Sequence, residues 1–258
     1  MPARAAFATY SCLGAKVMLM EHEHTVEAIN ERLAAGPRQN YLRDWIYGGI
    51  DGSVTTFAVV TGVAGAQLSP GIVLIMGFAN LLADGFSMAA SNFLGTRAEH
   101  EDFKRLEAIE QRHVDLDPEG EVEEVRQIFQ RKGFTGDDLS KLVELITSER
   151  GRWVKTMLTE EYGLPLEVRS PLLAALATFS AFIVCGLVPL VPYLIGVGNP
   201  LFTSVLLTGG IFFAIGSAKS WWSTSSWWRS GVSTLAVGAI AAALAYGVGL
   251  LIRQMTQQ

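Results

Sequence analysis

"ANLLADGFSMAASNFLG", residues 79–95, is apolar enough to cross a bilayer, yet a carboxylate, Asp84, sits near its middle. Asn80 lies one helical turn before Asp84, and Met88 one turn after. With Met76 a further turn back, these side chains occupy one helical face about 120° wide. A carboxylate at bilayer depth is costly against lipid, so this face must meet protein, water or a cation.

The rest of the chain supports a membrane setting. Half of the 258 residues are hydrophobic and 17% are charged, against about a quarter charged in soluble domains. The charge is also segregated: 18 of the 25 acidic and 12 of the 20 basic residues fall between Arg97 and Arg169. That block reads as a soluble insert, and the net charge of −5 is largely its own. A basic footprint for nucleic acid is absent.

Five stretches, about 45–66, 70–95, 172–195, 200–218 and 231–252, reach the roughly 20 residues that a hydrocarbon core requires. "SPLLAALATFSAFIVCGLVPLVPYLIG", residues 170–196, has no polar face, unlike a helix on the surface of a soluble protein. The expected fold is an all-α membrane protein with five transmembrane helices. Its divisions are a cytosolic N-terminal tail with an amphipathic helix (1–44), spans one and two (45–96), a cytosolic insert (97–168) and spans three to five (169–258).

Lys and Arg set the orientation. Arg32, Arg38 and Arg43 precede span one, and Lys219 and Arg229 flank the loop between spans four and five; the two short loops on the other side carry neither. The N-terminus and insert are therefore expected in the cytosol, with Arg253 the one dissenter. "MPARAAFATYSCLGAKVMLM" is weakly apolar and acidic "EHEH" follows it, which argues against a signal peptide. Cys12 on the tail and Cys185 within a span do not suggest a structural disulfide. "TVEAINERLAAG" places Val26, Ile29, Leu33 and Ala34 on one face, suited to a membrane surface or to packing on the insert. Four tryptophans in "SWWSTSSWWRS", residues 220–230, fit an interfacial aromatic belt.

A second acid, Asp51, stands in span one within "YGGIDGSVTTF". Glycines around it permit close helix approach. Two acids and the thioethers of Met76 and Met88 on adjacent spans suit a path for a divalent transition metal, because sulfur favours softer cations than Mg²⁺ or Ca²⁺. Asp51 as a cap at a helix break, and the methionines as space-filling residues, are the structural alternatives. Neither acid has a Lys, Arg or His within the spans to neutralise it. Protonation would do so, which is the chemistry of proton-coupled transport.

Span two has no stop signal at the membrane edge. One helix from about 70 to 114 is expected, ~66 Å long, its last third a cytosolic stalk. Glu110 and His113 share a face of that stalk. Glu121 and Glu124 repeat the spacing after the "DLDPEG" turn, and Met157 and Glu161 lie four apart before the chain re-enters the membrane. Carboxylate, imidazole and thioether at one-turn spacing on three helices suggest metal ligands. Glu123, Glu144 and Glu149 read as a solvated surface.

"GGIDGSVTTFAVVTGVAG", "ANLLADGFSMAASNFLGTRAE" and "GLVPLVPYL" resemble the vacuolar iron transporter family of plants, yeast and their microbial relatives. The resemblance runs from about Arg43 to the end of the last span. It implies a homodimer with five spans per subunit, proton-coupled export of Fe²⁺ and a three-helix cytosolic metal-binding insert. Mn²⁺ and other divalent transition metals are further candidate cargo, with no prosthetic group. On the family pattern Asp51 and Met88 match the intramembrane path, and Glu110, Glu121, Glu124, Met157 and Glu161 match the insert's ligands. Three positions depart from it. Asn80 replaces a glutamate whose role Asp84 can take over, His113 replaces a second glutamate, and Leu158 replaces a methionine. The membrane implied is the plasma membrane in a prokaryote or the vacuolar membrane in a eukaryote.

Two other functions remain open on residues alone. Glu110-x-x-His113 has the spacing of di-iron oxidases, whose second copy is matched only by Glu21-x-x-His24 in the tail. A metal storage or sensor protein is the other. No nucleotide-binding P-loop supports an ATP-driven pump.

Overall fold

The computed structural model describes residues 23–35, 39–165, 169–220 and 226–256; among them every regular element is helical. The chain divides into two units, Met1–Asn40 and Tyr41–Gln258. The described part of the first is helix α1, Val26–Ala35. It begins after Thr25, whose hydroxyl accepts from the Ala28 N–H at 3.2 Å, a helix N-cap. Val26 and Leu33 are exposed on it. The readings placed on Cys12, Glu21, Arg38, Trp221 and Trp222 fall outside the described residues.

The second unit contains α2 (Leu42–Gly65), α3 (Pro70–Leu116), α4 (Pro118–Arg131), α5 (Gly136–Thr147) and α6 (Arg150–Glu160). It continues with α7 (Pro171–Leu187), a 3₁₀ turn (Val188–Leu190), α8 (Val191–Leu194), α9 (Pro200–Lys219) and α10 (Trp227–Thr256). Among the described residues, four helical stretches are long and apolar enough to cross a membrane: α3, Pro171–Leu194, α9 and α10. On α10 the side chains of Val237, Ile240, Leu244, Val248 and Leu251 point outward, the pattern of a lipid-facing surface. Trp227 and Trp228 are exposed at its start, and the Arg229 guanidinium lies 5.2 Å from the Trp228 ring centre.

Helix α2, the first of the five expected spans, is not among those four, and its packing gives the reason. It contacts α3, α7, α9 and α10, and its buried residues include Gly48, Gly49, Gly52, Ser53, Thr56 and Gly65. A helix surrounded by other helices needs small residues for close approach more than it needs Leu or Ile for lipid. The approach to α7 is tight: a Cβ at Gly48 would lie 2.3 Å from the Thr178 carbonyl oxygen, and one at Gly52 would lie 2.4 Å from that of Phe182. Around this contact Phe57, Val60, Val73, Leu81, Phe182, Leu190 and Phe212 form the core. Where the 3₁₀ turn interrupts the α-helical pattern, the buried Ser204 hydroxyl donates to the Pro189 carbonyl at 2.8 Å.

Helix α3 is 47 residues long, about 70 Å at 1.5 Å per residue. It starts with Pro70 in its first turn and ends at Asp117. There the Asp117 side chain accepts from the Gly120 N–H at 3.1 Å and opens α4. Helices α4, α5 and α6 enclose an apolar cluster of Val125, Leu139, Val143, Ile146, Trp153 and Met157. The α5 helix carries no predicted ligand; its contribution is Leu139, Val143 and Ile146 in this core. Arg150, at the head of α6, donates to the Gln111 carbonyl at 2.8 Å and pairs with Asp115, which pins α6 to the end of α3. Lys132 pairs with Glu160 and ties α4 to the other end of α6.

The Gly52 contact yields a test. Overpacking against a backbone that cannot yield costs about 1–3 kcal/mol. Gly52→Ala is therefore expected to lower the unfolding temperature in detergent by several degrees, whereas Gly95→Ala, with open space around it, is expected to leave it unchanged. Equal stability of the two variants would contradict the packing described.

Candidate metal centre

Three helices' worth of chain converge at the far end of α3. Glu110 and His113 project from α3 and Glu121 from the first turn of α4, with ligand atoms all within 4.8 Å of one another. His113 Nδ1 is 3.8 Å from Glu110 Oε1 and 3.4 Å from Glu121 Oε1. Glu110 has none of its surface exposed and Glu121 only 5%, while His113 is exposed. Buried carboxylates are expected to be fully hydrogen-bonded. Here the second oxygen of each, Glu110 Oε2 and Glu121 Oε2, is buried without a partner. Two buried carboxylates beside an imidazole, each with one orphaned oxygen, fit a divalent cation of borderline softness, whose charge would offset their desolvation.

The electrostatics agree. Burial, followed by repulsion from Glu110 and Glu124, pushes the Glu121 carboxyl up to about 7, with His113 opposing and Glu161 adding to the rise. Burial, then Glu110 and Glu124, likewise raises Glu161. The expected ligands Glu124 and Glu161 therefore belong to the same charged cluster, both on exposed positions at its rim. Met157 is fully buried in the adjoining apolar core, and so is Leu158, where the family pattern has methionine.

Sequence reasoning missed Tyr162. Its hydroxyl donates to Glu110 Oε1 at 2.9 Å, and burial together with that bond raises its pKa, which keeps it a donor. The only signal for it was its position directly after Glu161 in "TEEYG".

In the membrane-crossing part, Asp51 is half-buried on α2. Asp84 and Met76 are exposed on the surface of the single chain. Asn80 is half-buried with its amide nitrogen unpartnered, and Met88 packs against the core. The face carrying Met88 continues through Asn92, Thr96 and Glu99 along a cavity of about 320 Å³.

That cavity holds a second feature the sequence did not announce. Asp44, seven residues before Asp51 and so on the same helical face, is buried at the head of α2. It pairs with Arg169 and accepts from the Asn92 amide at 2.9 Å. Asn92 also donates to the Thr178 hydroxyl at 2.7 Å, so one amide joins α2, α3 and α7. Arg169 lies 5.4 Å from the Tyr41 ring centre. A salt bridge 125 residues apart in sequence has no local signature.

Fold and site together define a helical membrane protein with a carboxylate–imidazole cluster at the end of a membrane-crossing helix. The chain belongs to the VIT family, whose family model matches residues 42–250. It is 31% identical over 210 residues to vacuolar iron transporter 1 of Eucalyptus grandis, an alignment covering 80% of this chain and 84% of that protein. To vacuolar iron transporter 1 of Arabidopsis thaliana it is 31% identical over 208 residues, covering 80% and 83%. Rice vacuolar iron transporter 2 is 28% identical over 243 residues, covering 93% and 96%. These relatives are named as transporters.

The raised Glu121 carboxyl predicts a pH dependence. A carboxyl whose folded pKa rises from 4.5 to about 7 stabilises the metal-free protein fully below pH 4.5, and loses that contribution as pH rises through about 7. The unfolding temperature should fall across that window, and less steeply in Glu121→Gln. Saturating Co²⁺, which needs the ligand deprotonated, should oppose the fall. Identical pH profiles for the metal-free wild type and Glu121→Gln would refute the assignment.

Proposed function

We propose that this chain exports Fe²⁺ from the cytosol across a membrane in exchange for protons, with Mn²⁺ and other divalent transition metals as further cargo. The observation that carries the proposal is the pair of buried carboxylates beside His113, Glu110 and Glu121, each with an orphaned Oε2. They stand at the end of the same helix that carries Asp84 and Met88. In this reading α2 is span one, completing five, and residues 97–168 are a cytosolic metal-binding domain. Glu110, His113, Glu121, Glu124, Met157 and Glu161 collect the ion; Asp51, Asn80, Asp84 and Met88 form the path. Asp84 lies ~39 Å from Glu110 along the helix, too far for one shared site, so collection and translocation are separate steps.

An exposed carboxylate within an apolar span favours a second copy of the chain covering Asp84, Met76 and Asn80, and hence a homodimer with its path between subunits. Protons enter the account because the path acids have no cationic side chain among the described residues of the spans to balance them when the metal leaves. Metal and proton then compete for the same oxygens. The names of the relatives favour iron as the cargo. A di-iron oxidase is not favoured, since the cluster contains one imidazole and is not repeated among the described residues.

Reconstituted proteoliposomes test this directly. Asp51→Asn, nearly isosteric but unable to hold charge, should reduce Fe²⁺ flux at least tenfold while leaving folding intact. An outward metal flux should be accompanied by inward proton movement and slow as the cytosolic face is acidified. Full flux in Asp51→Asn, or flux indifferent to an imposed pH gradient, would overturn the coupled path.

A further inference from the structure

The two oxygens of Glu110 have different surroundings. Oε1 accepts the Tyr162 hydroxyl at 2.9 Å, whereas Oε2 is buried and meets no donor. Tyr162 lies just beyond α6, in the segment that leads back to the membrane, and is itself partly buried. The hydroxyl is what distinguishes tyrosine, and Glu110 receives it.

Carboxylate denticity separates classes of cation. Ca²⁺ takes 6–8 oxygen ligands, commonly with bidentate carboxylates, in flexible geometry. Borderline transition ions accept fewer ligands and gain from an imidazole. A carboxylate with one oxygen engaged by a neutral donor presents the other to the ion and resists bidentate ligation. Resting on the reading of Glu110, His113 and Glu121 as a metal site, we infer that Tyr162 is a specificity-determining positioning residue: by engaging Oε1 it holds Glu110 as a one-oxygen ligand and disfavours large, hard cations against borderline transition metals. Glu121 supports this role, because its Oε1 faces His113 at 3.4 Å and its Oε2 is the orphan. The cluster so restrained offers two single oxygens and one nitrogen.

The test uses the full-length protein in detergent micelles, titrated with Co²⁺ and with Ca²⁺ by calorimetry. Tyr162→Phe is expected to narrow the preference for Co²⁺ over Ca²⁺ about tenfold, the scale of one charge-assisted hydrogen bond. It is also expected to change the visible spectrum of bound Co²⁺, which reports coordination. A merely structural hydroxyl would lower the unfolding temperature and leave both the ratio and the spectrum as in the wild type; that result overturns the inference. A measurement on the wild type holds even if the variant does not fold. Infrared difference spectra of the Co²⁺-loaded protein, with Glu110→Gln to assign the band, should show Glu110 as a one-oxygen ligand, and a bidentate band would contradict the role of Tyr162. Failure of the underlying reading looks different: wild type and a folded Glu110→Gln would bind Co²⁺ equally or not at all, and both ideas would fall together.

Discussion

Helix α3 runs from Pro70 to Leu116 without a residue that would break it, and this continuity fixes where the chemistry can occur. One end of the helix carries Asn80, Asp84 and Met88 among apolar residues; the other carries Glu110 and His113 in a charged domain. A straight helix does not shorten, so the two groups stay separate unless α3 bends. The insert must accordingly be built around the end of α3. Arg150 reaches back to Asp115 and the Gln111 carbonyl, and Tyr162 to Glu110. These anchors come from the head of α6 and the segment beyond it, so the chain returning to the membrane is held against the helix that left it.

The membrane-crossing part obeys a different constraint. Helix α2 is the hub, and its contacts with α7 are made backbone to backbone at Gly48 and Gly52. Nearby, Asp44, Asn92 and Arg169 share one partly buried network lining the cavity. Dispersion and backbone proximity hold this region together, with lipid rather than water outside it. Helices α4 to α6 are held together instead by a conventional apolar core.

Much of this was legible in the sequence because its signals are local. The long apolar runs, the absence of a stop after residue 95 and the one-turn spacing of Glu110 with His113 each declare themselves within a dozen residues. Glu110, His113 and Glu121 lie together, since a helical face and a tight turn at Asp117 suffice to bring them there. Features that depend on tertiary contact were not legible. Asp44 finds Arg169 across 125 residues, Tyr162 finds Glu110 across 52 residues, and α5 reveals itself only as core. Helix α2 is less apolar than the four long apolar stretches for a physical reason. Its Gly, Ser and Thr residues dilute the apolar signal because the helix faces protein.

The account rests on a metal ion being held between α3 and α4, and anomalous scattering from crystals of the full-length protein grown with Co²⁺ is the most direct measurement of it. A peak bounded by Glu110 Oε2, Glu121 Oε2 and the His113 imidazole is the predicted result. Ordered density for those side chains without an anomalous peak among them, at Co²⁺ concentrations that saturate binding in solution, would contradict it.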